Sequence, residues 1–278
     1  MTQQPGTLTG AIPTLDTDGV PIHLVAAEPA LEVIVEAAEH HPEHPLGVAS
    51  INLDHLHHFG RHTHHPAPLT AEGGVEWLNL IDGSPIAAFA RRKTGHDHPK
   101  LSGSDLIGAV LDRAAARGLS VAVLGGQPAV TRALRRRFAV DWPGIRFAGH
   151  WTPPADDLTS PSRAARLAAE IREAGPDVLL VCLGKPRQEQ WIAAYGAQTG
   201  AGVMLAFGAV VDFLAGRVSR APRWISEAGL EWAWRLLHEP RRLARRYLVE
   251  GPPAYLALRR SARGAAAAVL AVPMQRHA

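Results

Sequence analysis

Between residues 101 and 206 the chain alternates short, mostly apolar runs with longer amphipathic ones, and glycine or proline marks most of the changeovers. LSVAVL, IRFAGH, DVLLVCLG and AGVMLAFG have the length and character of buried strands. GSDLIGAVLDRAAARG and TSPSRAARLAAEIREAG instead carry apolar residues at helical spacing. Ser104 is the expected N-cap of the first helix and Gly118 its stop, and the second opens on Ser/Thr-Pro and also ends on glycine. A strand that is apolar on both faces has to be covered on both faces, and a helix between two strands returns the chain so that they lie parallel. The expected class is therefore α/β, a parallel-sheet, Rossmann-like domain. PLGVASINL adds a buried strand ending near Asn52, and residues 12–41 read as a hairpin about Asp18-Gly19 followed by a helix.

In such a sheet ligands bind beyond the carboxyl ends of the strands. That places Asn52, Gly125-Gly126, Gly184-Lys185 and Gly208 on one rim. Gly125-Gly126 stands between a strand and a helix start, where free backbone N–H groups suit a phosphate, although a plain tight turn has the same sequence. In LGKPRQEQW, Gly184 permits close approach, Lys185 and Arg187 can neutralise phosphate, and Gln188 offers an amide. A surface helix start reads alike. Asp82 in NLIDGSP is either a turn aspartate or a carboxylate base at a strand end. Asp212 is a second candidate carboxylate, while Asp105 suits the first turn of a helix. Six histidines (His55, His57, His58, His62, His64 and His65) have a spacing that suits zinc, but no cysteine and only Asp54 accompany them. A solvated or acceptor-facing loop is expected there. The acidic pair Asp156-Asp157 falls in a proline-rich loop.

Composition decides three further points. The single cysteine, Cys182, excludes an intrachain disulfide, fits a reducing compartment, and reads as a core residue within DVLLVCLG. No apolar run approaches the ~20 residues of a spanning helix, and the first residues lack the basic and apolar regions of a signal peptide. A cytoplasmic location is expected. Residues 217–278 hold twelve arginines and no lysine against four glutamates, a surplus of eight positive charges, whereas the rest of the chain has five more acids than bases. Such a tail is either a solvated helix or a seat for a polyanion, nucleic acid or an anionic membrane.

Taken in order, these segments resemble the WecG/TagA/CpsF family of bacterial glycosyltransferases over roughly residues 12–258. The matching pieces are ASIN at 49–52, DG at 82–83, LSGSDL at 101–106, VLGGQP at 123–128 and LGKPRQEQW at 183–191. They continue with GAVVDFLAGRVSRAPRW at 208–224 and GLEWAWRLLHEPRRLARRY at 229–247, the two most specific runs. The resemblance implies transfer of a sugar of the N-acetylmannosamine type from a UDP donor to a polyprenyl-diphosphate-linked acceptor, with inversion and without metal or other cofactor. It implies Asp82 as catalytic base, and it matches Ser50 and Asn52 to a Thr-x-Asn motif and Gln188 to the glutamine of a Pro-Lys-Gln-Glu motif.

A leaving diphosphate without a metal needs helix N-termini and cations. Gly125, Gly126, Gly184 and Lys185 are the candidates in the body, with Arg220, Arg235 and Arg242 in the tail, and Asp212 remains a further substrate-binding candidate. The expected division is a catalytic domain over 1–219 and a basic helical appendage over 220–278 that completes the site at the inner face of the cell membrane. An anionic membrane surface is thus an expected partner and nucleic acid is not; a homo-oligomer is left open. The chain departs from the family pattern at Ser50 for Thr, Lys100 for Arg, Arg187 for Lys, Ala209 for Gly, and His150-Trp151 for a Gly-Tyr-Phe loop.

Two other classes fit less well. A nicotinamide-dependent Rossmann oxidoreductase needs a G-x-G-x-x-G fingerprint with an acid downstream, and neither is found here. A nucleic-acid-binding protein would rest on the basic tail alone, and comparing binding to anionic liposomes with binding to duplex DNA separates the two.

Overall fold

The computed structural model of the chain describes residues 7–61, 63, 69–70, 74–217, 231–238 and 240–263. A hairpin of β1 (Thr14–Thr17) and β2 (Val20–His23) turns on Asp18 and Gly19, both at positive φ. Then come α1 (Ala27–His40), β3 (Leu46–Ile51), α2 (Leu53–Phe59), β4 (Glu76–Ile81), α3 (Ser84–Thr94) and α4 (Gly103–Ala116). The chain continues through β5 (Ser120–Gly125), α5 (Thr131–Asp141), β6 (Arg146–Trp151), α6 (Ala155–Thr159) and α7 (Pro161–Ala174). β7 (Val178–Cys182), α8 (Arg187–Tyr195), β8 (Val203–Ala206) and α9 (Val210–Leu214) close the α/β part. Helices Glu231–His238, Pro240–Ala244 and Gly251–Arg263 follow, the last two joined by a π-helical turn, Arg245–Glu250.

β3 to β8 form one six-stranded, all-parallel sheet in the order β4-β3-β8-β7-β5-β6. Every residue of β3, β4, β5, β7 and β8 is buried, as their nearly continuous apolar sequences require. Period-two alternation divides them between two cores: Val121 and Val123 belong to the one that includes α1, α4 and α5, while Ala122 and Leu124 belong to the one that includes α3, α7 and α8. The chain is thus a Rossmann-like α/β protein, the class expected from its alternation. β3 leads outward to β4 at one edge and β5 outward to β6 at the other. The reversal leaves a crevice above the middle strands, where such sheets take their ligands.

Local readings are corrected at three places, the first being Asp156-Asp157, which was expected in a loop and stands in the first turn of α6. α4 begins on Gly103, which lies against the Phe207 ring with no room for a Cβ. The cap therefore falls on Ser102 rather than Ser104, and the Ser102 hydroxyl oxygen accepts from Asp105 N–H at 3.2 Å. The histidine-rich stretch was expected to be loop, yet its first part is the helix α2. Asp54, His55, Leu56 and Phe59 form its buried face, and polar residues at apolar positions hide the helical period. His62, His64, His65 and Arg220 lie outside the described residues, as do the side chains of Arg235 and Arg242. Cys182 is buried, and burial pushes its thiol up to about 12, which suits a core residue. The C-terminal helix Gly251–Arg263 buries Ala254 and Leu258 against α2 and α3.

His23 carries a consequence for stability. Its Nδ1 accepts Asn79 N–H at 2.9 Å, and burial pushes its pKa from 6.5 down to about 4. Below pH 6.5 the unfolded chain takes up this proton and the folded chain does not, so stability is lost as pH falls towards 4. Between roughly pH 7.5 and pH 5 this group alone is expected to remove ~2 kcal/mol. Urea unfolding at the two pH values checks this. His23→Gln, which keeps an acceptor for Asn79, is expected to lose less stability on acidification than the wild type; an equal loss would exclude His23 as the cause.

Candidate active site

The parallel register of β3 and β4 pairs Ile51 with Ile81, so the next residues, Asn52 and Asp82, leave the sheet side by side. Asp82 N–H donates to the Ile51 carbonyl at 2.9 Å, carrying the pairing one residue past the strands. Asn52 then turns the chain into α2 as its N-cap, with its side-chain oxygen accepting Asp54 N–H at 3.3 Å. Its amide nitrogen donates to Asp82 Oδ2 at 2.8 Å, and its oxygen also accepts from Lys185 Nζ at 2.9 Å. Carboxylate, amide and lysine are thus joined in one chain of contacts on the floor of the crevice. Ser50, on the same strand as Asn52, is buried and donates to the Leu101 carbonyl at 3.3 Å, which holds the start of α4 at the rim.

Lys185 comes from the turn after β7. Gly184, at φ +75, opens this turn, and Gly184 N–H donates to Gln188 Oε1 at 3.1 Å. Gln188 has no exposed surface. Its amide nitrogen donates to Glu189 Oε1 and to the Ala206 carbonyl, each at 2.8 Å. Both ends of its amide are therefore engaged within the protein, and in this structure Gln188 shapes the Gly184 turn. Glu189 is equally buried and meets His55 Nε2 at 3.1 Å. Burial works against its charged form, but the bonds from His55 and Gln188 and the charge of Lys185 outweigh it and hold the carboxyl below its usual value.

These groups open onto a cleft of about 530 Å³ lined by the ends of β3, β4, β7 and β8 and the start of α4. Its floor and sides include Ser50, Asn52, Asp82, Ser102, Ser104, Gly184, Lys185, Arg187 and Gly208. On α2, Asp54 lies 3.8 Å from Lys185 Nζ and 3.6 Å from His58 Nε2, and both Asp54 and His58 face the cleft. Leu243, Arg245 and Glu250 supply a further wall, with Arg245 Nε 2.9 Å from Glu250. Three cationic side chains, Lys185, Arg187 and Arg245, therefore border one open polar space. Among the described residues no group of three or more His, Cys, Asp and Glu side chains is placed to hold a metal ion.

Of the residues expected from sequence, Ser50, Asn52, Asp82, Gly184, Lys185 and Gln188 meet in this cleft. Gly125 and Gly126 lie one strand further along the rim and Asp212 sits on α9, and none of the three lines it. Gly125, at φ +107, has the Cys182 carbonyl where a Cβ would stand. Asp212 lies 3.9 Å from Arg217, which also donates to Gln127 at 3.0 Å. Nothing in the sequence singles out Leu243 or Glu250 in the walls, or Glu189 as the partner of buried His55, and Asp54 and His58 stand out there only as members of the histidine-rich stretch. For His55 a signal was present, since the Asn-x-x-His spacing is that of a capping box.

The description of one protein-family model, the glycosyl transferase WecG/TagA/CpsF family, fits residues 15–267, a span that holds the six-stranded sheet and every side chain of this cleft.

Proposed function

Because the chain belongs to the WecG/TagA/CpsF family of glycosyltransferases of cell-surface polysaccharide synthesis, we propose that it transfers a sugar from a UDP donor to a polyprenyl-diphosphate-linked acceptor, with inversion. The observation that carries this reading is the half-buried Asp82 carboxylate held by Asn52 on the floor of a cation-lined cleft. Inversion needs one base. As the acceptor hydroxyl oxygen forms its bond to the anomeric carbon, Asp82 takes the hydroxyl proton, and the bond from that carbon to the diphosphate oxygen breaks to release UDP. The departing diphosphate gains charge. Lys185, Arg187 and Arg245 border the space where it would lie, and they act there as fixed positive charges. N-acetylmannosamine is the donor sugar to try first.

The same reading divides the chain into a catalytic part over 1–219 and an appendage over 220–278 that meets the inner face of the membrane. Leu237, Leu248, Val249, Tyr255 and Leu256 are exposed in this appendage beside Arg245, Arg259 and Arg260. Apolar side chains among arginines suit an anionic leaflet, where each basic residue contributes about 1 kcal/mol. No described helix is long and apolar enough to cross a membrane.

A screen of UDP-sugars against a short-chain polyprenyl-diphosphate-linked sugar, read by mass spectrometry, tests the reaction. Absence of any transferred sugar across the screen would count against it. Run in excess EDTA, the productive reaction is expected to keep its rate, because side-chain cations take the part that a metal takes elsewhere. Loss of rate on chelation, restored by Mg²⁺ or Mn²⁺, would overturn the metal-free mechanism.

A further inference from the structure

His55 is fully buried one turn below the cleft floor, and its two ring nitrogens have different partners. Nδ1 lies 3.2 Å from Asn52 N–H, a group that can only donate, so Nδ1 carries the lone pair. The proton is then on Nε2, which donates to Glu189 Oε1 at 3.1 Å. Glu189 Oε1 also accepts from Gln188, while Glu189 Oε2 is buried with no hydrogen-bond partner among the described residues. One carboxylate oxygen therefore joins the turn after β3 to the turn after β7.

We infer that the buried pair His55–Glu189 is a positioning device for Asp82: Glu189 sets the tautomer of His55, His55 closes the first turn of α2, and that turn presents the Asn52 amide to Asp82 and Lys185. The inference rests on the reading of Asp82 as the base. Asn52 must keep its oxygen towards Asp54 N–H and Lys185 and its nitrogen towards Asp82, and a flipped amide breaks all three bonds. The capping box fixes this orientation because it fixes the backbone from which the amide projects.

The choice of histidine follows from its neighbour. Glutamate is a common residue at this box position, but here it would set a second carboxylate against buried Glu189. Histidine accepts on one side and donates on the other. An imidazolium would turn Nδ1–H against Asn52 N–H and open the box. Burial, with the charge of Lys185, lowers the pKa of His55 against the opposing pull of Glu189 and Asp54, and so keeps the ring neutral.

Nitrogen-15 spectra of the histidine-labelled full-length protein test the first step without any substitution. A proton on Nε2 and a bare Nδ1 are expected from about pH 6 to pH 8, and an Nδ1–H tautomer or an imidazolium in that range overturns the inference. Turnover tests the rest, with UDP-N-acetylmannosamine, or the donor that the screen selects, and a short-chain polyprenyl-diphosphate-linked sugar. His55→Leu breaks both bonds and is expected to lower kcat about tenfold or more, with the donor KM changed less than about threefold. His55→Gln retains an acceptor and a donor and is expected to return kcat to within about threefold of wild type. In an Asp82→Asn background His55→Leu should lower the residual rate by much less than it lowers the wild-type rate, since only the Asn52–Lys185 contact then remains to be positioned. A wild-type kcat for His55→Leu, or a full second loss in that background, overturns the inference. Full activity of Asp82→Asn strikes the base reading instead, and the tautomer then still decides whether the pair sets the Asn52 turn.

Discussion

Asp82→Asn is expected to lower turnover by ~10²–10⁴, the usual worth of a general base, while leaving the fold and donor affinity unchanged. The change removes the proton acceptor and little else. An asparagine oxygen can still receive the Asn52 amide, which now reaches Asp82 Oδ2 at 2.8 Å, and the bond from residue 82 N–H to the Ile51 carbonyl is made by backbone. The cations that border the cleft are untouched. Calorimetric titration with UDP and single-turnover measurement on the purified variant separate the two effects. Near wild-type turnover would remove Asp82 from the mechanism. Asp212 would not replace it easily, since it sits on α9 outside the cleft, 3.9 Å from Arg217.

Ending the chain at residue 221 is expected to abolish transfer to a lipid-linked acceptor and to stop the protein sedimenting with anionic vesicles. Among the described residues the sheet draws no strand from the part removed, so the α/β body should still fold. It should do so with lower stability. Leu243, Ala254 and Leu258 are buried in the full chain, and a fully buried leucine contributes about 1.5–3 kcal/mol. The truncated cleft lacks the wall of Leu243, Arg245 and Glu250. A companion substitution avoids the stability loss: Arg245→Gln in the full-length chain should reduce turnover even with a soluble acceptor analogue. Arg259→Gln with Arg260→Gln should instead weaken vesicle binding, and that remaining binding should fall further as salt rises. Circular dichroism reports the fold of each variant. Full transfer by the shortened chain would show that its arginine-rich end takes no part in the reaction.

The fold was legible in the sequence where burial dictates composition. VLLVC and VMLA are apolar at every position because both faces of β7 and β8 are covered. The order of the strands was not legible, since apolar content does not say which strand is a neighbour. Asn52 and Asp82 could be placed at strand ends, but only the register of β3 with β4 puts them in hydrogen-bond contact. Gln188 was legible as a residue of the site, yet its buried amide is engaged with Gly184, Glu189 and Ala206. His55 and Glu189 stand 134 residues apart, and no local pattern links them. The basic tail stands out in the sequence, but which of its residues form the wall from Leu243 to Glu250 does not, for a related reason. Its place depends on Ala254 and Leu258 finding the surface of α2 and α3, a match between two distant stretches of sequence.

The place of β8 bears on how the protein comes into being on the ribosome. β3 and β4 can pair as soon as they emerge, and so can β5, β6 and β7, but these two sets have no hydrogen bonds to each other. β8, the last of the described strands to be synthesised, is the wedge that joins them, pairing with β3 on one side and β7 on the other. Until it arrives, Lys185 and Asp82 belong to separate fragments, each with an unsatisfied sheet edge open to wrong partners. Translation therefore passes residue 206 before there is any cleft at all, and the nascent chain is most in need of protection over the interval from β4 to β8.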